Sequence, residues 1–141
     1  MSFAPSETRS EKNKIKGRLA GLLIFVVDDD AVQLHVVRDI LEEEGGRVIG
    51  ATNPELMLET LKENAPDVLI ADVVMPEMDG WELFRQMRKT KLNKETPVLF
   101  LTALVEEESE KQFTQGTGRC CMLAKPIERQ KLVGAVLELR S

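Results

Sequence analysis

Alternation of short apolar runs with amphipathic segments predicts an α/β fold, a doubly wound and mostly parallel sheet with helices on both faces. Three observations carry that prediction. The runs Leu23 to Val27, Val68 to Ala71 and Val98 to Leu101 lack polar alternation, as strands do when both of their faces are covered. Segments of helical length separate the runs, with loops short enough for βα units. Asp28, Asp72, Thr102 and Lys125 stand where four runs end, and functional groups collect at such ends in open α/β sheets.

The elements follow in order. Residues 1 to about 20 are rich in Ser, Lys, Glu and Arg with little apolar patterning, and read as a flexible tail or linker ahead of a single domain over 21–141. A strand from Leu23 to Val27 leads to a helix from about Ala31 to Glu44, closed by Gly45-Gly46. A strand from Arg47 to Ala51 precedes a helix from about Pro54 to Asn64, with Asn53 as N-cap and Pro54 in the first turn. The third pair is a strand from Val68 to Asp72 and a helix from about Gly80 to Lys89. A strand from Val98 to Leu101, a helix from about Val105 to Gln115, a strand from Cys120 to Leu123 and a helix from about Glu128 to Leu139 complete five pairs. The fourth helix is expected to be loosely held, because Glu106, Glu107, Glu108, Ser109, Glu110, Lys111 and Gln112 leave only Val105 and Phe113 as sizeable apolar contacts.

Size and charge narrow the function. The 141 residues suit one ordinary domain with a real core. A net charge of −5 and a pI near 5.0 argue against a primary role on nucleic-acid phosphates or anionic membranes, which want a basic surface. No apolar run approaches the roughly 18 to 20 residues of a membrane span, and no signal-like apolar core follows the N-terminus, so a cytoplasmic location is expected. Cys120 and Cys121 are adjacent, would point to opposite faces of a strand, and show no zinc spacing; reduced, packed thiols are expected.

The carboxylates are the chemically informative feature. Asp28-Asp29-Asp30 ends the first strand and Asp72 the third, and in a sheet whose order reverses between those strands they share one crevice with Thr102 and Lys125. Like charges so placed raise one another's pKa unless a cation intervenes, and Mg²⁺ is the hard, oxygen-preferring ion that a few carboxylates bind. For a lone Asp29 or Asp30, helix capping is the ordinary role. The joint placement of Asp72, Thr102 and Lys125 favours a metal site instead.

Four strings, Val26-Val27-Asp28-Asp29-Asp30, Asp72 through Gly80, Phe100-Leu101-Thr102-Ala103 and Lys125-Pro126, together resemble a bacterial two-component response-regulator receiver domain over about residues 22 to 140. The resemblance implies a flavodoxin-like sheet of five parallel strands in the order 2-1-3-4-5, and a phosphoryl group accepted from a histidine kinase or histidine phosphotransfer protein. By position, Asp72 would be the phosphoacceptor. Asp29 would be a direct Mg²⁺ ligand, Asp28 a ligand through metal-bound water, and Val74 a donor of its backbone carbonyl. Thr102 would bond a phosphoryl oxygen and Lys125 would pair with the same group. Such a chain is a switch for protein contacts with an unknown downstream protein, not an enzyme, and weak self-association stays open. With Ser141 closing the last helix, no output domain follows in these residues, so the alternatives are a free-standing relay or a module of a hybrid kinase or multidomain regulator.

Some residues depart from the family pattern. Met122 stands three residues before Lys125, where the family usually has Tyr or Phe, and the chain has no tyrosine. Either Met122 packs in the same space with a softer response, or signalling here does not use an aromatic rotation. Val74 and Leu104 are apolar where polar side chains could orient a hydrolytic water, so slow self-dephosphorylation is expected. A phosphatase with a strand-end Asp nucleophile would want a second carboxylate at the position of Val74. His35 reads as an ordinary helix-surface residue, and Trp81 as half-exposed packing beside the acidic loop.

Overall fold

A computed structural model describes residues 17–103 and 119–140. The elements are β1 (Leu23–Val27), α1 (Ala31–Glu43), β2 (Arg47–Ala51), α2 (Pro54–Glu63), β3 (Val68–Asp72), α3 (Gly80–Arg88), β4 (Val98–Thr102), β5 (Cys120–Ala124) and α4 (Arg129–Arg140). The strands form one sheet in the order β2-β1-β3-β4-β5, and every neighbouring pair is parallel. This is the doubly wound order expected from the sequence. Strands β4 and β5 each run one residue further than predicted, to Thr102 and Ala124. The segment expected to form a loosely held helix, Val105 to Gln115, lies outside the described residues.

Successive residues of a strand face opposite sides, so the sheet builds two cores. Ile24, Val26, Ile70, Leu99 and Leu101 pack beneath α1 and α4, against Leu34, Val37, Leu41, Leu132, Val133 and Val136. Phe25, Val27, Leu69, Ala71 and Phe100 face the other way, against Met57 and Leu61 of α2 and Leu83, Phe84 and Met87 of α3. All five residues of β3 and of β4 are buried, as their unbroken apolar runs require. Each fully buried Leu, Ile or Phe contributes roughly 1.5–3 kcal/mol from area removed from water.

Local chemistry sets the helix ends. Asn53 Oδ1 accepts from the backbone N–H groups of Glu55 and Leu56 at 2.8 and 3.1 Å, with Pro54 opening α2. Gly45, at φ 92°, turns the chain after α1 in the left-handed region that glycine tolerates, while Gly46 N–H donates to Leu41 O at 2.9 Å. Residues 17–20, assigned to the tail by composition, pack in part against this corner. Leu19 is fully buried in the α1/α4 core and its N–H donates to Glu44 O at 2.9 Å. The Glu44 carboxylate pairs with Arg18 at 3.4 Å and Arg129 at 3.5 Å. A single apolar residue among charges carries no periodicity, which is why composition alone misplaced Leu19.

Candidate functional site

The carboxyl ends of β1 and β3 lie side by side, with Val27 in register with Ala71. Asp28 therefore leaves β1 next to Asp72, the last residue of β3. Asp28 and Asp72 are buried, at 1% and 6% exposure, while Asp29 is exposed. These three residues can each offer a carboxylate oxygen within 4.8 Å of the other two. A single hard cation can bridge oxygens at that spacing.

The three consecutive aspartates divide the work. Asp30 is the N-cap of α1, its Oδ1 accepting from Val32 N–H at 2.9 Å and Gln33 N–H at 3.3 Å. Asp28 Oδ1 accepts from Asp30 N–H at 2.9 Å, which orients the carboxylate. Its Oδ2 is buried without a hydrogen bond, 3.8 Å from Lys125 Nζ. Capping thus falls to Asp30, and Asp29 remains beside Asp28 and Asp72.

Lys125 enters from the end of β5. Its Nζ lies 3.2 Å from Asp72 Oδ1, and its N–H donates to Thr102 O at 2.8 Å, which holds the chain end of β5 to that of β4. The Lys125-Pro126 peptide is cis. Thr102 is buried at the end of β4, in register with Ala124 and one residue past Leu101, the partner of Asp72. One ammonium does not balance the acids. Burial pushes the Asp28 carboxyl up to about 6 against the pull of the Asp30 N–H, and the Asp72 charge adds to the rise. Burial also raises Asp72, although Lys125 beside it opposes the shift.

The loop after β3 folds back on the site. Val73 N–H donates to Leu101 O and Gly80 N–H to Val73 O, both at 2.9 Å, while Asp79 caps α3 by accepting from Glu82 N–H at 2.9 Å. Val74 is 74% exposed in this loop, and Glu77 takes a positive φ of 70°, unusual for a residue with a side chain. Gly80 has a role that the sequence motif did not disclose: a Cβ there would stand 2.5 Å from the Asp72 carbonyl oxygen. The visible signal was only the Asp-Gly break before the helix. Trp81 follows, its ring 5.1 Å from Phe100, and Phe84 meets the same ring edge-on at 5.7 Å. Met122 is in register with Phe100 and packs, half-buried, on this cluster. Leu104, expected near the site, lies outside the described residues. Cys120 and Cys121 are both free thiols.

Known proteins share this fold. A family model described as the response regulator receiver domain matches residues 24–137. A 14.6 kDa protein from the sodA1 3′ region of Leptolyngbya boryana is 37% identical over 118 residues, which cover 84% of this chain and 89% of that protein. The solved structure of the Vibrio cholerae chemotaxis protein CheY4 superposes with a TM-score of 0.78 at 29% identity, covering 85% of this chain and 99% of that one. The receiver domain of the Pseudomonas aeruginosa sensor histidine kinase PA1611, solved with a magnesium ion in its active-site cleft, shares the fold with a TM-score of 0.76 at 24% identity over 86% and 98% of the two chains. No helix among the described residues is long and apolar enough to cross a membrane. The match runs from β1 into α4 and takes in every strand of the sheet, so the chain belongs to the response regulator receiver domains of two-component signalling.

Proposed function

We propose that Asp72 is the phosphoacceptor of this receiver domain and takes its phosphoryl group from a phosphohistidine on a histidine kinase or phosphotransfer protein. The observation that carries this reading is the convergence of Asp28, Asp29 and Asp72 with Lys125 Nζ 3.2 Å from Asp72 Oδ1. A carboxylate is already an anion at neutral pH and needs no general base to attack phosphorus. The new bond forms between an Asp72 oxygen and phosphorus as the phosphorus–nitrogen bond breaks, and its electron pair remains on the imidazole.

Mg²⁺ fits the donor set. The unsatisfied Asp28 Oδ2, the raised Asp28 and Asp72 carboxyls and the oxygen-only ligands all suit a hard divalent ion. Asp28, Asp29, Asp72 and the Val74 backbone carbonyl would hold it, Asp28 through a bound water. When bound, Mg²⁺ supplies charge neutralisation to the phosphoryl oxygens. Lys125 pairs with one of those oxygens, leaving its present partner Asp72, and the Thr102 hydroxyl donates to another. Exposed Val32 in the first turn of α1 and Val74 two residues after Asp72 offer apolar surface to the phosphodonor at this edge of the sheet.

The product places a nearly dianionic group where carboxylates already repel one another. Its demand on Thr102 and Lys125 draws the ends of β4 and β5 inward and biases the surface beyond them toward a second state. The protein therefore acts as a switch, either free-standing or as a module of a larger regulator. Incubation with Mg²⁺ and acetyl phosphate, followed by intact mass and peptide mapping, tests this directly. One retained phosphoryl group on Asp72 is expected. Rapid turnover of donor without retention, or unchanged labelling of Asp72→Asn, would overturn the assignment.

A further inference from the structure

We propose that the groove between α2 and α3, at the end of the sheet remote from the acid cluster, docks an acidic, apolar-punctuated segment of a partner protein. The groove holds about 360 Å³ and is lined by Leu58, Lys62, Gln86, Lys89, Thr90 and Lys91. Both helices begin at the carboxyl edge of the sheet and run away from it, so these residues, on the later turns of the helices and in the turn after α3, sit opposite the phosphoacceptor. In a chain of net charge −5, three ammonium groups converging on one concavity create a local field against the overall one.

The turn that presents two of these lysines is built. Asn93 is fully buried, and its Nδ2 donates to Leu61 O and Asn64 O at the end of α2, the latter at 2.9 Å. Its Oδ1 accepts from Thr96 Oγ1 at 2.6 Å. Arg88 donates to Asn93 O at 3.1 Å and Thr96 O at 2.8 Å. Burying so many polar groups fixes the 89–96 turn against α2, so Lys89 and Lys91 hold their place beside Lys62. The same turn exposes Leu92 at 48%, and Leu58 contributes apolar surface to the groove.

Charge and shape choose the occupant. Ammonium groups around an aliphatic contact complement carboxylates spaced about an apolar side chain. No aromatic ring lines the groove, so a nucleobase would lack a stacking partner. Lys62 is partly engaged by Glu59 at 3.0 Å, which leaves Lys89 and Lys91 as the main contacts.

The test is fluorescence anisotropy with a labelled peptide of sequence Glu-Glu-Leu-Glu-Glu-Leu-Glu, titrated with the full chain. Saturable, salt-sensitive binding is expected, weakened roughly tenfold by Lys89→Glu with Lys91→Glu and absent for the peptide with Gln in place of Glu. Circular dichroism establishes that the double variant is folded, and Lys89→Gln with Lys91→Gln should give an intermediate loss. Asp72→Asn should bind the peptide as the unaltered chain does, which separates this surface from the phosphoacceptor. The proposal would be overturned by no saturable binding, by binding unchanged in the double variant, or by equal competition by inorganic phosphate, which would mark a small-anion site. Concentration-dependent self-association abolished by the same pair of changes would overturn it in favour of a second copy as occupant.

Discussion

Replacing Asp28 by Asn should stabilise the protein in the absence of divalent metal. Asp28 is 1% exposed, its Oδ2 has no hydrogen bond, and its carboxyl is raised from 3.8 to about 6. A rise of about two units means that ionising this group costs the folded state roughly 3 kcal/mol more than it costs the unfolded chain. Asn keeps the oxygen that accepts from Asp30 N–H and removes the charge that repels Asp72. Because exposed Asp29 keeps the crevice open to water, the expected gain is about 1–3 kcal/mol near pH 7.5. The sign follows from linkage. With the folded pKa above the unfolded one, the folded state binds more protons between about pH 4 and 6, and wild-type stability contributed by this group falls as pH rises through that window. The advantage of Asp28→Asn is thus absent below about pH 4, grows to about pH 6 and is constant above it. Urea unfolding in EDTA at several pH values measures it. Added Mg²⁺ should narrow or reverse the difference, because it stabilises the native wild type by mass action and binds the variant less well. Lower stability of the variant in EDTA at neutral pH, or a difference that ignores pH, would refute the account of a buried and under-compensated carboxylate.

Gly80→Ala should destabilise by about 1–3 kcal/mol and slow acetyl phosphate labelling, since its Cβ would press on the Asp72 carbonyl at 2.5 Å. Gly134→Ala, on an exposed part of α4 with nothing within 4 Å of the new carbon, should instead stabilise by roughly 0.5–1 kcal/mol. Asn93→Ala should cost about 2–4 kcal/mol in urea unfolding, because it strands the Leu61 carbonyl and the Thr96 hydroxyl in the interior and removes the half-buried bond to Asn64 O. With apolar Val74 beside the site, the phosphoryl group on Asp72 should persist for many minutes after donor removal, and a lifetime of seconds by intact mass would contradict this. Trp81 emission should change on phosphorylation, because its ring meets Phe100, two residues before Thr102 on β4.

Elements whose signals are local were legible from the chain. Asn53-Pro54 and Gly45-Gly46 marked helix ends because capping and left-handed turns act within a few residues. Runs without alternation marked β3 and β4 because a strand buried on both faces keeps polar residues out of its middle, and Asp72 and Thr102 stand only at the final position of each. Asp72, Thr102 and Lys125 were identifiable as strand-end residues on one edge, and the strand order placed those ends together.

What required the folded chain were relations across the sequence. Three adjacent aspartates are indistinguishable as letters. Packing buries Asp28, leaves Asp29 open and turns Asp30 onto the first N–H groups of α1. Leu19 looked like part of a charged tail until the end of α1 covered it. Gly80 became necessary because the β3–α3 loop returns within contact of Asp72, and the basic groove arose from a lysine of α2 and two of the turn after α3, which Asn93 ties together. Composition and period specify which residues seek the interior. Which charges then face one another, and at what distance, is set by parallel crossovers that bring the ends of β1, β3, β4 and β5 to one edge.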